Sequence, residues 1–593
     1  MAQPLQSTIQ QVITAFQNGN FDLAESALKQ VLQADIDSAN TIFELGLAYA
    51  RSNGFTEALA IFSCLLAHKK NDVRIPYNMG LIYSLLGKHQ LALEAYDIAL
   101  SIQPSDAEVL INKGSTCNDL KNYVAALETL ERAIQMRPDI PEAWSNKGIA
   151  LNNLNRHQES LDAYNQALQL DPSYADAWSN KSVPLNKLKR YQEASEACDK
   201  ALSLRPNYAE AHYNKSNALY ALRRFDEVMT HLDKALSLKP NYHEAWANKG
   251  VILHELARFD EAIAHFDKAL GIKPDYHDAS WNKSLSFLVQ GNFEGGLPLY
   301  ESRWKVEKLI ENSDKRSFAK PVWLGSEPLN GKTILLYGEQ GLGDFIQFCR
   351  YAKLVANLGA KVILEAPESL ASLMGEIEGV SQVVVKGEEL PTFDYQCPLL
   401  SLPLAFKTNL ATIPNASPYI HMDGLTHKMR EWQERLGTKS KPRVGLVWSG
   451  NSQHDNDHNR SLLLKDILPF LPAQFEYISL QKEVREVDKP TLQSNSQIRS
   501  FTEELIDFSD TAALTSALDL VISVDTSVAH LSAALGKKTL VLLPHTPDWR
   551  WLLDRSDSPW YPSMKLYRQS NIGDWKSALS AVKIYLDSDK NFQ

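Results

Sequence analysis

Pro104, Pro138, Pro172, Pro206, Pro240 and Pro274 each stand 34 residues beyond the last. No other feature of the chain constrains its fold as strongly. A fixed period of this length demands one supersecondary unit repeated along the chain, each copy burying its apolar face against the next. In the same phase run Gly46, Gly80, Gly114, Gly148, Ser182, Ser216, Gly250 and Ser284. A second small column holds Ala58, Ala92, Ala126, Ser160, Ala194 and Ala262, with Val228 the exception; a third holds Ala99, Ala133, Ala167, Ala201, Ala235 and Ala269. Small residues recur where two antiparallel helices cross closely, and a proline stops the second helix before the next unit begins. Trp144, Trp178 and Trp246, with Tyr164 and Phe266, are expected to fill the spaces between units. The spacing predicts about nine helix–turn–helix units over residues 5–305, the first and last degenerate.

Packing alone does not account for two polar columns. Asn78, Asn112, Asn146, Asn180, Asn214, Asn248 and Asn282 share one phase on the first helix of their units, although asparagine is disfavoured in helix interiors. Carboxamides in line, each able to donate and accept, suit the backbone of an extended peptide lying in a solenoid groove. The alternative is that each bonds its neighbouring repeat. Beside them Lys113 to Lys283 recur in the same step. Their stems can pack while each ammonium reaches water or an acid of the next repeat.

At 593 residues the chain has room for several domains, and 44% hydrophobic with 22% charged residues is ordinary folded composition. A net charge of -10 argues against sequence-independent nucleic-acid binding, which needs a basic footprint. Cys64, Cys117, Cys198, Cys349 and Cys397 form no CxxC pair and are too scattered for a disulfide framework. The opening MAQPLQSTIQQVITAF lacks a basic-then-apolar leader. The longest apolar stretch, 518–535, is broken by Asp519, Asp525 and His530. The expectation is a cytoplasmic protein with no membrane span.

After Trp304 the period is lost. Residues 306–330 read as a connector containing Pro321, Pro328 and the charged run ENSDKR. Beyond it short β-branched runs alternate with amphipathic helices: KTILLYG, KVILEA, VVV (383–385), RVGLVWSG, FEYISLQ, LVISVD and TLVLLP. This pattern predicts parallel α/β units. Two sets are expected, a lobe at 331–425 and a lobe at 441–575, followed by a closing helix and tail at 576–593 that returns toward the first lobe. Ligands of such folds sit beyond the carboxyl ends of the strands.

Three loops in that position carry chemistry. Gly338-Glu339-Gln340-Gly341-Leu342-Gly343-Asp344 lies between a strand and a helix. Gly341 and Gly343 allow backbone to approach a ligand. The loop has neither the Gly-Lys-Ser/Thr of a Walker loop nor the spacing of the dinucleotide fingerprint. Asp344 is placed to act as a general base or to cap the helix. In Asp525-Thr526-Ser527-Val528-Ala529-His530, a strand passes through small polar residues into a helix, an arrangement that suits phosphate. His530 shares a helix face with Thr526, and either reaches the phosphates or sits in the core. The third loop, Trp448 to Arg460, holds His454, Asp455, Asp457 and His458. Adjacent loop positions give poor simultaneous metal geometry and no outlying ligand is present, so no metal is expected. The forked donors of Arg460 suit a diphosphate.

The first half resembles the tetratricopeptide repeat. The second half resembles a heptosyltransferase-type (family 9) glycosyltransferase of GT-B architecture, on GLGD followed by a helix and on VDTSVAHLSAALGK. The implied fold is an α-solenoid followed by two Rossmann-like α/β lobes, a layout similar to that of protein O-glycosyltransferases. By that resemblance Asp344 takes the position of the catalytic base. Asp525, Thr526 and His530 match contacts to the donor's sugar and diphosphate, and Ser527 stands where the family has glycine. Arg460 falls where a cationic residue meets the diphosphate, Gln481 is a candidate nucleoside contact, and Asp510 and Thr511 border the base. The implied activity is metal-independent, inverting transfer from a nucleotide-diphosphate sugar to a Ser or Thr hydroxyl of a protein held by the repeats. Two alternatives stand beside it. One is a glycan or lipid-linked acceptor, with the repeats recruiting a partner; the other is a non-catalytic scaffold that senses a nucleotide sugar.

Overall fold

The computed structural model describes residues 2–34, 38–311, 318–454 and 456–588, so most of the charged connector run, and Asp455, lie outside the described residues. The chain forms two compact units, Met1–Asn241 and Tyr242–Gln593.

The first unit is built of antiparallel helix pairs, from Ala2–Gln17 with Phe21–Ala34 to Ala209–Ala221 with Phe225–Leu238. Its glycine column is dictated by close crossing. A Cβ on Gly80 would come within 2.4 Å of the Tyr96 ring, on Gly114 within 2.5 Å of Leu130, and on Gly148 within 2.8 Å of Tyr164. Tyr164 thus closes its own repeat and also packs against Ala177 of the next. The turn inside each repeat carries a second periodic mark. Gly19, Asn53, Gly87, Lys121, Asn155, Lys189 and Arg223 all hold positive φ, as do Ala257 and Gly291 in the second unit. The left-handed residue lets the chain reverse after the first helix, and its step from position 19 to 291 marks nine repeats among the described residues. The lysines look backward along the chain. Lys113 pairs with Asp97 at 2.5 Å, Lys147 with Glu131 at 2.9 Å and Lys215 with Asp199 at 2.6 Å. Each acid lies on the second helix of the preceding repeat, not the next. Where the acid column has Asn165, the Lys181 ammonium lies 5.0 Å from the centroid of the Trp178 ring.

The second unit opens with two more helix pairs, His243–Glu255 with Phe259–Ile272 and His277–Val289 with Phe293–Tyr300. The first lobe holds β1 (Thr333–Tyr337), β2 (Lys361–Ala366), β3 (Val380–Val385) and β4 (Tyr395–Pro398), all parallel in the order β3-β2-β1-β4. The second holds β5 (Arg443–Val447), β6 (Glu476–Ser479), β7 (Ile498–Ser500), β8 (Leu520–Val524), β9 (Thr539–Leu543) and β10 (Met564–Arg568), parallel in the order β10-β9-β8-β5-β6-β7. β5, β8 and β9 are buried at every position, as strands covered on both faces must be. These are two Rossmann-like lobes of a GT-B-like domain. β4, β7 and β10 lack the β-branched runs that mark the other strands, and the alternating pattern does not reveal them. The stretch expected as one helix after Gly343 is two, Leu342–Phe348 and Tyr351–Asn357, parted at Arg350, whose Nε donates back to the Gln347 carbonyl at 2.7 Å.

The compact units do not divide where the repeats end. Phe293, Leu297 and Tyr300 of the last repeat share one core with Phe348, Trp549 and Trp560 of the lobes, and Thr546 Oγ1 donates to the Glu255 carbonyl at 2.8 Å. Much of the expected connector also belongs to the first lobe: Trp323 is buried against Phe406, and its amide donates to the Gln396 carbonyl at 2.8 Å. The final helix, Trp575–Ser588, packs through Ala578, Leu579, Val582 and Leu586 into the core of the second lobe, among Val444, Leu542 and Tyr567. Among the described residues its buried face is spent on the second lobe, and 589–593 lie outside them.

Candidate active site

In each sheet the strand order reverses at one point, where neighbouring loops leave in opposite directions and open a crevice. In the first lobe that point lies between β1 and β4, and the loop after β1 is Gly338–Gly341. In the second it lies between β5 and β8. The loop after β5 carries Arg460, and the loop after β8 carries Asp525 and Thr526.

The two crevices face each other across Gly343. A Cβ there would lie 3.0 Å from His530 Cδ2 and 3.5 Å from Ser527 Cα, so glycine eases the close approach of the helix Leu342–Phe348 to the helix Ser527–Ala534. Asp344 does two things at once. Its Oδ2 accepts from the Gly341 amide at 3.1 Å, capping the helix, while Oδ1 lies 2.5 Å from Arg550 Nη2. Burial raises its pKa; the Arg550 guanidinium opposes that shift, and the nearby Asp548 carboxylate adds to it.

On the facing side, Thr526 makes no side-chain cap. Its hydroxyl lies 3.0 Å from Ser523 Oγ, while the Ala529 and His530 amides donate back to the Thr526 carbonyl at 3.1 and 3.4 Å, so the cap residue's side chain does not take up the Ser527 and Val528 amides at the start of the helix. Arg460 Nη1 donates to the Asp525 carbonyl at 3.2 Å, and Arg460 Nε is buried with no hydrogen-bond partner. The guanidinium crowds Gly450, where a Cβ would come within 2.8 Å of it. Burial, reinforced by the Asp548 carboxylate, raises the Asp525 pKa.

His530 lies beneath this surface, 4% exposed. Its Nδ1 is 3.0 Å from the Tyr561 hydroxyl, its Nε2 is 3.9 Å from Asp525 Oδ1, and its ring stacks on Trp551 at 5.1 Å. Burial, with Arg550, Arg350 and Arg460 nearby, keeps it neutral.

Residues 505–573, which span β8, Asp525 to His530 and Arg550, match the glycosyltransferase family 9 (heptosyltransferase) profile. Tetratricopeptide-repeat profiles match 9–72, 43–108, 77–139, 141–174, 185–252 and 243–276. The chain joins tetratricopeptide repeats to a family 9 glycosyltransferase domain. It is 25% identical to Protein FlbA of Caulobacter vibrioides over 325 residues, 50% of this chain and 52% of that protein. The chain thus spans about half the length of this curated relative. Among solved structures, MamA from Desulfovibrio magneticus aligns at 24% identity and TM-score 0.27, over 28% of this chain and 95% of that one. A tetratricopeptide repeat protein from Parabacteroides merdae aligns at 16% and 0.38, over 42% and 99%.

Other residues singled out in the glycosyltransferase domain are engaged elsewhere. Gln481 is buried and spends its carboxamide on the β5 loop, accepting from the amides of Trp448 and Ser449 at 3.3 Å and donating to the Ser449 carbonyl at 2.9 Å. That arrangement positions the loop. Asp510 lies 3.0 Å from the Lys428 ammonium, and its carboxylate accepts from the amides of Ile506 and Asp507 at the start of its own helix. Thr511 is buried, its hydroxyl 3.4 Å from the Asp507 carbonyl. Asp457 is held by Arg485 at 2.6 Å. Among the described residues no three His, Cys, Asp or Glu side chains are grouped to hold a metal, and no helix is long and apolar enough to cross a membrane.

The asparagine column is half-buried throughout. Asn78, Asn112 and Asn282 donate to the carbonyl four residues back at 2.7 to 3.0 Å. Asn112 also reaches the Tyr77 hydroxyl at 3.1 Å, and Asn214 reaches Ser179 Oγ at 3.1 Å, both in the preceding repeat. Inter-repeat bonding therefore accounts for part of the column.

Sequence reasoning missed Arg550 and a second buried pair. Arg303, in the turn after the last repeat, lies 2.9 Å from Glu339 in the glycine loop, and both side chains are 2% exposed. Arg303 also donates to Ser401 Oγ at 2.7 Å and to Glu301 at 2.6 Å, and the Tyr300 hydroxyl donates to Gln340 Oε1 at 3.3 Å. The end of the repeats thus holds the loop that presents Asp344. A tryptophan-dense stretch at the carboxyl end of a strand, Asp548-Trp549-Arg550-Trp551, was the available signal for Arg550.

Proposed function

We propose that the protein transfers a sugar from a nucleotide-diphosphate donor to a serine or threonine hydroxyl of a protein acceptor recruited by the repeats, with inversion and without a metal. One observation supports the reading: the helix that begins at Leu342 and carries Asp344 packs against the helix that begins at Ser527, through the contact of Gly343 with Ser527 and His530. In the proposed step the acceptor oxygen bonds to the anomeric carbon as the bond from that carbon to the diphosphate oxygen breaks. The hydroxyl proton passes to Asp344, and the diphosphate leaves with the electron pair. Arg460, the hydroxyls of Thr526 and Ser527 and the helix amides take up the developing charge; such fixed donors do most of their work on charge that grows in the transition state. The half-buried carboxamide column supports a peptide acceptor, and recruitment by the repeats raises its effective concentration.

The test is to incubate the full chain with UDP-, GDP-, ADP- and CMP-sugars and a cell lysate, and to follow intact-protein masses. The reading predicts a discrete sugar increment on one or more proteins with one donor. Transfer to lipid-linked or free saccharide alone would replace the acceptor class; donor binding with no transfer to anything would reduce the domain to a sensor.

A further inference from the structure

Arg550 is 6% exposed, its guanidinium 4.7 Å from the centroid of the Trp549 ring and 5.5 Å from that of Phe348. A buried guanidinium needs anions and filled donors. It has two anions, Asp344 Oδ1 at 2.5 Å from Nη2 and Asp548 Oδ1 at 2.8 Å from Nη1. Its donors are not filled: Nε and Nη2 make no hydrogen bond, so the contact with Asp344 is an ion pair without hydrogen-bond geometry. The loop that presents it is held on one side by Thr546 on the Glu255 carbonyl and by Trp549 against Phe293 and Tyr300. Two residues on, the buried Leu552 sits at φ 53, ψ -166, a conformation that costs a side-chain-bearing residue free energy and persists only where surroundings impose it. The fold therefore fixes a cation with unused donors beside the carboxylate assigned to acceptor activation.

Charge on the groups named here reinforces the point. Asp344, Asp525 and Asp548 face Arg460 and Arg550, with His454 near Asp344 and Arg350 near His530, and a diphosphate adds further negative charge for these cations to meet. A forked guanidinium is the side chain best able to exchange a carboxylate for phosphate oxygens.

We infer that Arg550 is a diphosphate ligand that also latches the base: without donor it neutralises Asp344, and on donor binding it turns its unfilled donors to the phosphates and releases Asp344 to take the acceptor's proton. This rests on the reading of Asp344 given above. It makes donor binding the step that arms the cleft, ahead of the acceptor.

The experiment is a double-mutant cycle by calorimetry on the full chain, with inorganic pyrophosphate and with UDP, GDP and ADP as probes. Asp344→Asn removes the competitor for Arg550 and is expected to tighten the diphosphate probes about tenfold. In an Arg550→Gln background the same substitution is expected to change affinity little, and Arg550→Lys, which keeps the charge without the fork, is expected to fall between. Tightening that persists in full without Arg550, no tightening, or no binding of any probe overturns the inference. Unimpaired transfer by Asp344→Asn would instead defeat the assignment of the base, so the two failures are told apart.

Discussion

Asp344→Asn is expected to lower the rate of sugar transfer by about 10²- to 10⁴-fold, the usual contribution of a positioned base, while the nucleoside diphosphate still binds. The substitution is nearly isosteric. The new carboxamide oxygen can still accept from the Gly341 amide, now 3.1 Å from the carboxylate, so the start of the helix keeps its cap. What is lost is the capacity to take a proton. The pH profile separates this from a structural defect. Burial holds the Asp344 pKa above the ordinary carboxylate value, with Arg550 opposing and Asp548 adding; His454 also favours the ionised form, and the buried Glu339 carboxyl lies within its electrostatic reach. The ionised form is the active one, so wild-type transfer falls as pH drops through a pKa higher than that of a free aspartate. The residual rate of the variant should lack that limb. An unaltered rate would remove Asp344 from the chemistry.

Arg303→Ala is expected to destabilise the second unit by about 3–5 kcal/mol, the range for breaking a buried ion pair from one side. The substitution leaves Glu339 in the core without its cation, and removes the bonds to Glu301 and Ser401 that fix the turn after the last repeat. Burial already pushes the Glu339 carboxyl up to about 7, against the pull of Arg303. Because its folded-state pKa lies above the ordinary value, stability from this group is greatest in acid and is lost as pH rises through about 7. Without Arg303 that loss deepens. Thermal melts should therefore show a larger deficit at alkaline than at mildly acidic pH, and Glu339→Gln in the same chain should restore much of it. A deficit independent of pH and unrelieved by the second substitution would mean that packing, not charge, dominates. Transfer should fall in parallel, since Glu339 lies in the loop that presents Asp344.

The repeats were legible because their constraint is local and recurrent: every crossing needs a small residue, and every second helix needs a stop. The central strands were legible because strands buried on both faces must be apolar at each position, as in RVGLV and TLVLL. The edge and short strands YQCP, IRS and MKLYR carry no such demand. At the site, the loops around Asp344 and Thr526 stood out through glycines and small polar residues placed after strands. Arg303 did not, because its decisive partner Glu339 is remote in sequence, and Arg550 was marked only by the tryptophans beside it, its contact with Asp344 being equally remote. Gln481 and His530 show the converse. Their residue types invite a ligand, and only the tertiary structure reveals that backbone amides bond the Gln481 carboxamide and that Tyr561 and Trp551 contact the His530 ring.

The central claim is that one cleft grips a diphosphate opposite Asp344. A crystal structure of the full chain with the nucleoside diphosphate that binds it tests this directly. The diphosphate is expected within hydrogen-bond distance of the Thr526 and Ser527 amides and of Arg460, on the side facing Asp344. Density for the nucleotide anywhere else, with the start of the helix Ser527–Ala534 bare, would contradict the account.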